Sequence, residues 1–339
     1  MHRASATNPF MPDSPALMTV RELKALEARS SVPFTSVLLV RKVTTKTSKN
    51  DTPYLSVELG DKTGAFSVTC FSDSPLFEFF KNLPESAIVQ IEAKTDHYQG
   101  RLSPRISRAD QLTAEQLAAP GLLENLIETP PEDPAQLWED FQGFIASIGQ
   151  PELAATVKAV FADIGDAFKI SPAAIAMHHA YRHGLLEHTV HMARVCRALL
   201  PLYPEVDADL ALAGILLHDI GKTIEYQGTL VIQRSRKGIL QGHVVLGYQL
   251  VRRFGLKAKL DLDRLERLEH IILSHQGELE YGAAVMAATP EAVFVSMIDN
   301  LDARMGMVQR ALRQAGPNDE FSERLAGLNS SLLTKKPGV

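Results

Sequence analysis

The spacing of apolar residues changes character once along this 339-residue chain, and that change limits its fold more than any other feature. From Val32 to about Leu112, apolar and polar residues alternate between clusters of turn residues, the period-two pattern of half-buried strands. After Gln136 the apolar residues recur at helical spacing almost to the end, as in Leu153–Phe161, Leu186–Leu200 and Leu210–Leu217. Between the two lies a stretch holding Pro120, Gly121, Pro130, Pro131 and Pro134, which reads as a linker. A period of two and a period of 3.6 cannot serve one element, so a β module precedes an all-helical one. Each part is long enough to bury its own core.

The alternating part contains five strand candidates: 37–40, 54–59, 65–71, 87–93 and 99–106. Lys49-Asn50-Asp51 and the run Gly60 to Gly64 supply turns, and a helix-like piece, Ser74–Asn82, follows the third strand. Five strands with a helix after the third predict a small OB-fold β-barrel. The expected division is a leader over 1–18, the barrel over 19–112, a linker over 113–135, a helical domain over 136–320 and a tail over 321–339, with the last dozen residues frayed. Gly228–Ile239 interrupts the helical pattern and reads as a short hairpin or a loop.

Lys+Arg number 35 and Asp+Glu 40, a net charge of −5, so no global basic excess advertises nucleic-acid binding, although a local groove can still be basic. Cys70 and Cys196 match no metal or redox spacing and read as two buried thiols in a reducing compartment. The first residues carry Pro9, Pro12 and Pro15 where a signal peptide needs an apolar core, and no stretch is long enough to span a bilayer. A cytoplasmic protein with no membrane partner is expected. No coiled-coil heptad marks an oligomer interface, which leaves the oligomeric state open.

Nine of the eleven histidines fall between His178 and His275, where an even scatter would put about three. Imidazole is the commonest metal ligand, so this clustering points to a metal site in the helical part. Its sharpest element is His218-Asp219-Ile220-Gly221-Lys222, closing the apolar run Ala211–Leu217. Polar groups after so apolar a segment need partners, and a metal would supply one. Alone, the same residues also suit an ordinary helix end, with His⁺ and Lys favourably placed near the negative pole.

Gly184-Leu185-Leu186-Glu187-His188-Thr189 upstream and Ser296-Met297-Ile298-Asp299-Asn300-Leu301-Asp302 downstream complete an order, His … His-Asp … Asp, that resembles the HD phosphohydrolase superfamily. Ser171-Pro172-Ala173-Ala174, His178-His179-Ala180-Tyr181 and the run from His270 to Gly282 are similar in wording to the YhaM-type 3′→5′ exoribonucleases. In that family an OB-fold module precedes the HD domain. The resemblance implies His188, His218, Asp219 and Asp299 as ligands of a primary metal and His243 and His275 at a second. Asp219 would bridge the two, Lys222 would contact a phosphate oxygen, and His243 would otherwise donate a proton. His178 and His179 would orient ligands or bind the phosphodiester. The set suits Mn²⁺ best, with Fe²⁺, Co²⁺ or Mg²⁺ as alternatives.

Two positions depart from the family's pattern. His183 stands where the family has the first of two glycines, and Gln276 replaces the second histidine of Ser-His-His-Gly. Glutamine is a poorer transition-metal ligand than imidazole, so one metal is implied and the second is left open. His191 is expected to pack, and Asp302 to support a ligand or pair with Arg304.

OB folds hold single strands with basic side chains and aromatic platforms. Candidates in the barrel are Arg41, Lys42, Tyr54, Phe71, Lys94, Tyr98, Arg101 and Arg105, with Phe66 assigned to the core by its alternation. The resemblance to the exoribonucleases implies 3′→5′ shortening of single-stranded RNA as the expected activity, with single-stranded DNA as a further partner. An HD hydrolase of a small or cyclic nucleotide with a regulatory barrel is the alternative. A catalytically impaired nucleic-acid-binding adaptor, favoured by Gln276 alone, is the third.

Overall fold

A computed structural model describes residues 16–26, 31–48, 50–84, 86–98, 101–117, 122–174, 181–228, 231–315, 319–325, 327–335 and 338. The chain forms two compact units that divide between Glu128 and Thr129.

The first unit is built on strands β1 (Pro33–Thr47), β2 (Pro53–Asp61), β3 (Gly64–Phe71) and β4 (Ile88–Lys94). A small hairpin follows, β5 (His97–Tyr98) with β6 (Arg101–Leu102), and then β7 (Arg105–Gln111). The sheet order is β3-β2-β1-β4-β7, with every pair antiparallel. Strand β1 pairs with β4 through Pro33–Leu39 and with β2 from Leu39 onward, and its register shifts between Val40 and Lys42. An extra residue at that point bends a strand and raises its twist, so one long strand serves both halves of a curled sheet. Helix α1 (Val20–Lys24) precedes the sheet, and α2 (Phe77–Asn82) lies between the third and fourth main strands. Phe34, Leu38, Val40, Leu55, Val57, Leu59, Val68 and Ile91 fill the interior. This is the OB-fold that the alternation predicted.

The last main strand runs later than the expected 99–106. Pro104 has no N–H for a ladder, so pairing stops before it and resumes at Arg105. Part of the Pro-rich stretch is helical, as α3 (Ala114–Leu117) and α4 (Leu122–Leu126). The Asn125 carbonyl accepts from the Lys62 backbone N–H at 3.1 Å, which ties α4 to the turn after β2.

The second unit is helical: α5 (Pro134–Ala146), α6 (Pro151–Ile170), α7 (Gly184–Leu199), α8 (Ala208–Leu217), α9 (Lys222–Glu225), α10 (Arg236–Lys257), α11 (Leu262–Ser274) and α12 (Pro290–Gln314). Asp133, Asp207, Ser235, Asp261 and Thr289 each cap a helix through the side chain, and proline occupies the first turn of α5, α6 and α12. The interruption near 228–239 is in part a hairpin, β8 (Tyr226–Gln227) with β9 (Gln233–Arg234). Bridges Phe321–Leu333 and Leu325–Ser330 fold the tail on itself, so part of the segment expected to fray is paired.

Helix α8 is buried from Leu210 to Leu217, the expected state of a helix apolar on all sides, and it delivers His218 and Asp219 to the interior. Phe141 anchors one end of the core, with Trp138 stacked on it at 5.2 Å and Phe161 and Phe168 at 4.7 and 5.1 Å. Phe141→Ala is expected to lower stability by about 3–5 kcal/mol, measured by denaturant unfolding of the full chain. Cys70 and Cys196 are both buried free thiols, and burial pushes the Cys196 thiol up to about 12.

Candidate metal centre

Four histidines turn the same ring atom toward one point, and each does so because its other nitrogen is already engaged. His188 Nδ1 lies 2.7 Å from Asp302 Oδ2, and His218 Nδ1 lies 2.7 Å from the Ile215 carbonyl. His243 Nδ1 lies 2.7 Å from Glu225 Oε2, and His275 Nδ1 lies 2.7 Å from the Ile272 carbonyl. All four partners are acceptors, so each Nδ1 carries a proton and donates it. In the neutral ring this leaves the Nε2 lone pair for the centre, the arrangement seen in metal-ligating histidines.

Two groups of donors result, and they share Asp219. In the first, His188 Nε2 lies 3.2 Å from His218 Nε2 and 3.3 Å from Asp299 Oδ1, and His218 Nε2 lies 3.2 Å from Asp219 Oδ2. In the second, Asp219 Oδ1 lies 3.5 Å from His243 Nε2 and 3.4 Å from His275 Nε2. Both groups are compact enough to hold an ion. Asp219 Oδ1 is buried with no hydrogen-bond partner among the described residues. Inward-facing lone pairs and an orphaned carboxylate oxygen are costly in a buried site unless a cation or proton lies between them. The convergent imidazole and carboxylate donors of the first group fit a divalent metal, and the orphaned oxygen, Asp219 Oδ1, lies in the second group.

The carboxylates of the first group set up a negative field that favours a cation, a proton where no metal is bound. Burial alone would lower the His188 imidazole, yet Asp299 and Asp302 outweigh it and raise it to about 10. Burial likewise opposes ionisation of Asp219, but Lys222 and His218 hold its carboxyl well below the usual range. Lys222 is itself buried, with Nζ 2.5 Å from Asp219 Oδ2.

At the second group the chain supplies its own counterpart. The Gln276 amide nitrogen lies 3.2 Å from His243 Nε2 and 3.0 Å from His275 Nε2. Two amide protons facing two imidazole lone pairs satisfy both rings without a cation.

Two backbone features hold this geometry. A Cβ on Gly221 would come within 2.0 Å of the His243 carbonyl oxygen, so the turn after Asp219 closes on His243 only with glycine there. Gly242 (φ 70°) breaks α10 immediately before His243. His183, in the position of a family glycine, adopts φ 68°, and its ring nitrogen Nδ1 lies 2.6 Å from the Lys169 carbonyl oxygen.

Residues outside the expected set complete the surroundings. Asp302 binds His188, while Arg304 donates to Asn300 instead. His191 does more than pack: Nδ1 lies 3.5 Å from Asp302 Oδ1, and Nε2 lies 2.8 Å from Glu132 Oε1. Glu132 accepts from Arg194 at 2.9 Å, and Arg194 donates to Asp140 at 2.7 Å. Glu225 and Glu132 carry no motif that would have marked them in the sequence. His270 accepts from the Ala288 N–H at 2.8 Å and takes no part. His178 and His179 lie outside the described residues. Asp302→Asn should weaken metal binding by about 10- to 100-fold while leaving every proposed ligand in place, measured by metal titration of the apo-protein.

In the barrel, the register places Lys46, Tyr54 and Phe71 in one cross-strand row, with the two rings 6.1 Å apart. Phe71, Tyr98, Lys42, Lys94 and Arg101 are exposed, and Phe66 is core. Arg41 is partly buried and donates to the Asp61 carbonyl at 2.8 Å, while Arg105 pairs with Asp96 at 2.6 Å and stays exposed. No helix among the described residues is long and apolar enough to cross a membrane.

Comparison with known proteins bears on the same residues. The HD domain family matches residues 185–304. The 3′-5′ exoribonuclease YhaM of Shouchella clausii (strain KSM-K16) is 31% identical over 298 residues, covering 88% of this chain and 92% of that protein. The protein of the same name from Geobacillus sp. (strain WCH70) is 31% identical over 298 residues, covering 88% and 90%. Among solved structures, a replication protein A heterotrimer bound to single-stranded DNA is similar at 18% identity and a TM-score of 0.23, over 29% of this chain and 82% of that one. With its full OB-fold and HD-domain order inside a match of this extent, the chain belongs to the family of YhaM 3′-5′ exoribonucleases.

Proposed function

We propose that the helical unit hydrolyses the terminal phosphodiester at the 3′ end of single-stranded RNA and that the barrel holds the strand. The convergence of His188 from α7, His218 and Asp219 from the turn closing α8, and the partly buried Asp299 from α12 carries this reading. A divalent cation bound there, Mn²⁺ by the mixed imidazole and carboxylate donors, supplies Lewis acidity to a phosphate oxygen and lowers the pKa of a bound water. Asp219 presents one oxygen to each histidine pair, and Lys222 fixes that carboxylate by its ion pair. Asp302 and Glu225 hold the proton on Nδ1 of His188 and His243 and so set which nitrogen faces the substrate. One metal per chain is proposed, since the Gln276 amide already faces both histidines of the second donor group and leaves Asp219 Oδ1 alone there among the described residues.

On the barrel, Tyr54 and Phe71 form the stacking platform, and Lys42, Lys46, Lys94 and Arg101 supply charge. Phe71→Ala should weaken binding of a single-stranded oligoribonucleotide by about 1–3 kcal/mol. Arg101→Ala should lower the salt-dependence slope of that affinity by about one, without changing sequence preference. Fluorescence anisotropy at several salt concentrations checks both.

Hydrolysis of single-stranded RNA and of a small phosphodiester by the full chain tests the polymer reading. A KM for RNA at least tenfold lower, and raised by Phe71→Ala, is expected. A small diester turned over as efficiently as RNA, and indifferent to Phe71→Ala, would assign the site to a small nucleotide.

A further inference from the structure

A cleft of about 160 Å³ opens beside the metal centre, between the turn after α11 and the outward face of α12. Gln276, Tyr281, Met286, Ser296, Met297 and Asn300 line it. Gln276 belongs to both places: it lines the cleft, and its amide nitrogen lies within 3.2 Å of His243 and His275. Asn300 follows the proposed ligand Asp299 directly. The cleft thus begins one side chain from the donors.

Its composition is unusual for solvent-facing surface. Tyr281, Met286 and Met297 are 62%, 52% and 63% exposed, so none of them serves the core. A ring and two polarizable thioethers form soft walls for a flat π-system. The Gln276 nitrogen is turned to the histidines, the Asn300 oxygen accepts from Arg304 and the Ser296 hydroxyl donates to the Val293 carbonyl. The Gln276 oxygen and the Asn300 amide nitrogen then offer one acceptor and one donor group for a heterocycle's edge. The volume falls below the roughly 300–1,000 Å³ of pockets for drug-sized ligands, which favours a single ring system.

We propose that this cleft receives the base of the 3′-terminal nucleotide, the one that leaves when the bond at the metal is cut. The proposal rests on the exoribonuclease reading above, because a base lies one ribose away from its own phosphate. It adds a specificity site that reads the presence of a terminal base and, through its amides, a modest preference among bases. Stacking in the cleft fixes the strand end, so the phosphodiester registers on the donors by the terminal nucleotide as well as by the barrel.

The test uses the full chain and two 5′-labelled RNAs that differ only in a normal or an abasic 3′-terminal nucleotide. Tyr281→Ala and Met297→Ala should each lower kcat/KM for removal of the normal terminal nucleotide by about tenfold. The same variants should change removal of the abasic terminus by less than twofold, and Tyr281→Phe should retain the wild-type value on both. Both side chains are exposed, so the folded state should tolerate the changes, and thermal melts check it. Equal losses on both RNAs, or none on either, would overturn the cleft's assignment while the exoribonuclease reading stands. A loss accompanied by a change of mass in solution would overturn it in favour of an interface between copies. A wild-type chain that shortens neither RNA would overturn both readings together.

Discussion

Asp219→Asn is expected to reduce RNA shortening by about 10³-fold or more while single-strand binding persists. The substitution keeps the shape of the side chain and removes the charge that both histidine pairs face. Metal-borne stabilisation of the transition state amounts to several kcal/mol, and each 1.4 kcal/mol is a factor of ten. The same change leaves the Lys222 ammonium buried opposite a neutral amide, and an unpaired buried charge costs about 3–5 kcal/mol. Asp219→Asn combined with Lys222→Met therefore accompanies the single variant: it should regain much of the lost melting temperature and none of the activity. Bound metal, measured by mass spectrometry on the desalted chain, should fall with activity in both. Activity within tenfold of wild type in a metal-free Asp219→Asn chain would remove Asp219 from the reaction.

Gln276→His is expected to raise the bound metal from one ion per chain to two. The amide now gives one N–H toward each of His243 Nε2 and His275 Nε2, at 3.2 and 3.0 Å. An imidazole has a ring nitrogen to offer as a ligand and cannot supply two N–H groups from one atom, so the substitution exchanges a filled donor group for an open one. His243, His275 and Asp219 Oδ1 would then hold a second cation with the new histidine. Metal analysis and calorimetric titration with Mn²⁺ read this directly, independent of turnover. Two ions in the wild-type chain would contradict the account of Gln276, and so would a Gln276→His chain that stays at one.

The proposed ligands were legible because their chemistry is local. His218-Asp219 closes a segment apolar on every side, and a polar pair there needs a reason. The barrel was legible from alternation and turns, which fix strand register over short distances. The supporting residues were not, because they become meaningful only when distant segments meet. Glu132 lies in the Pro-rich stretch and reaches His191, 59 residues away. Asp302 meets His188 across 114 residues, and its alternative partner Arg304 was nearer in sequence. A basic candidate in the barrel shows the same limit: the charge of Arg41 is visible in sequence, but its bond to the Asp61 carbonyl is not. His183 is a middle case, since a histidine where relatives have glycine marks a left-handed backbone that the structure contains.

The central claim is metal-dependent removal of nucleotides from the 3′ end of a single strand at the Asp219 centre. A 5′-end-labelled single-stranded RNA incubated with the full chain and Mn²⁺ tests it in one gel, beside a chelator lane and the Asp219→Asn chain. The account predicts a ladder of 5′-labelled products shortening one nucleotide at a time, absent with chelator and with the variant. A labelled mononucleotide released at once, or a ladder unchanged by chelator and by Asp219→Asn, would contradict it.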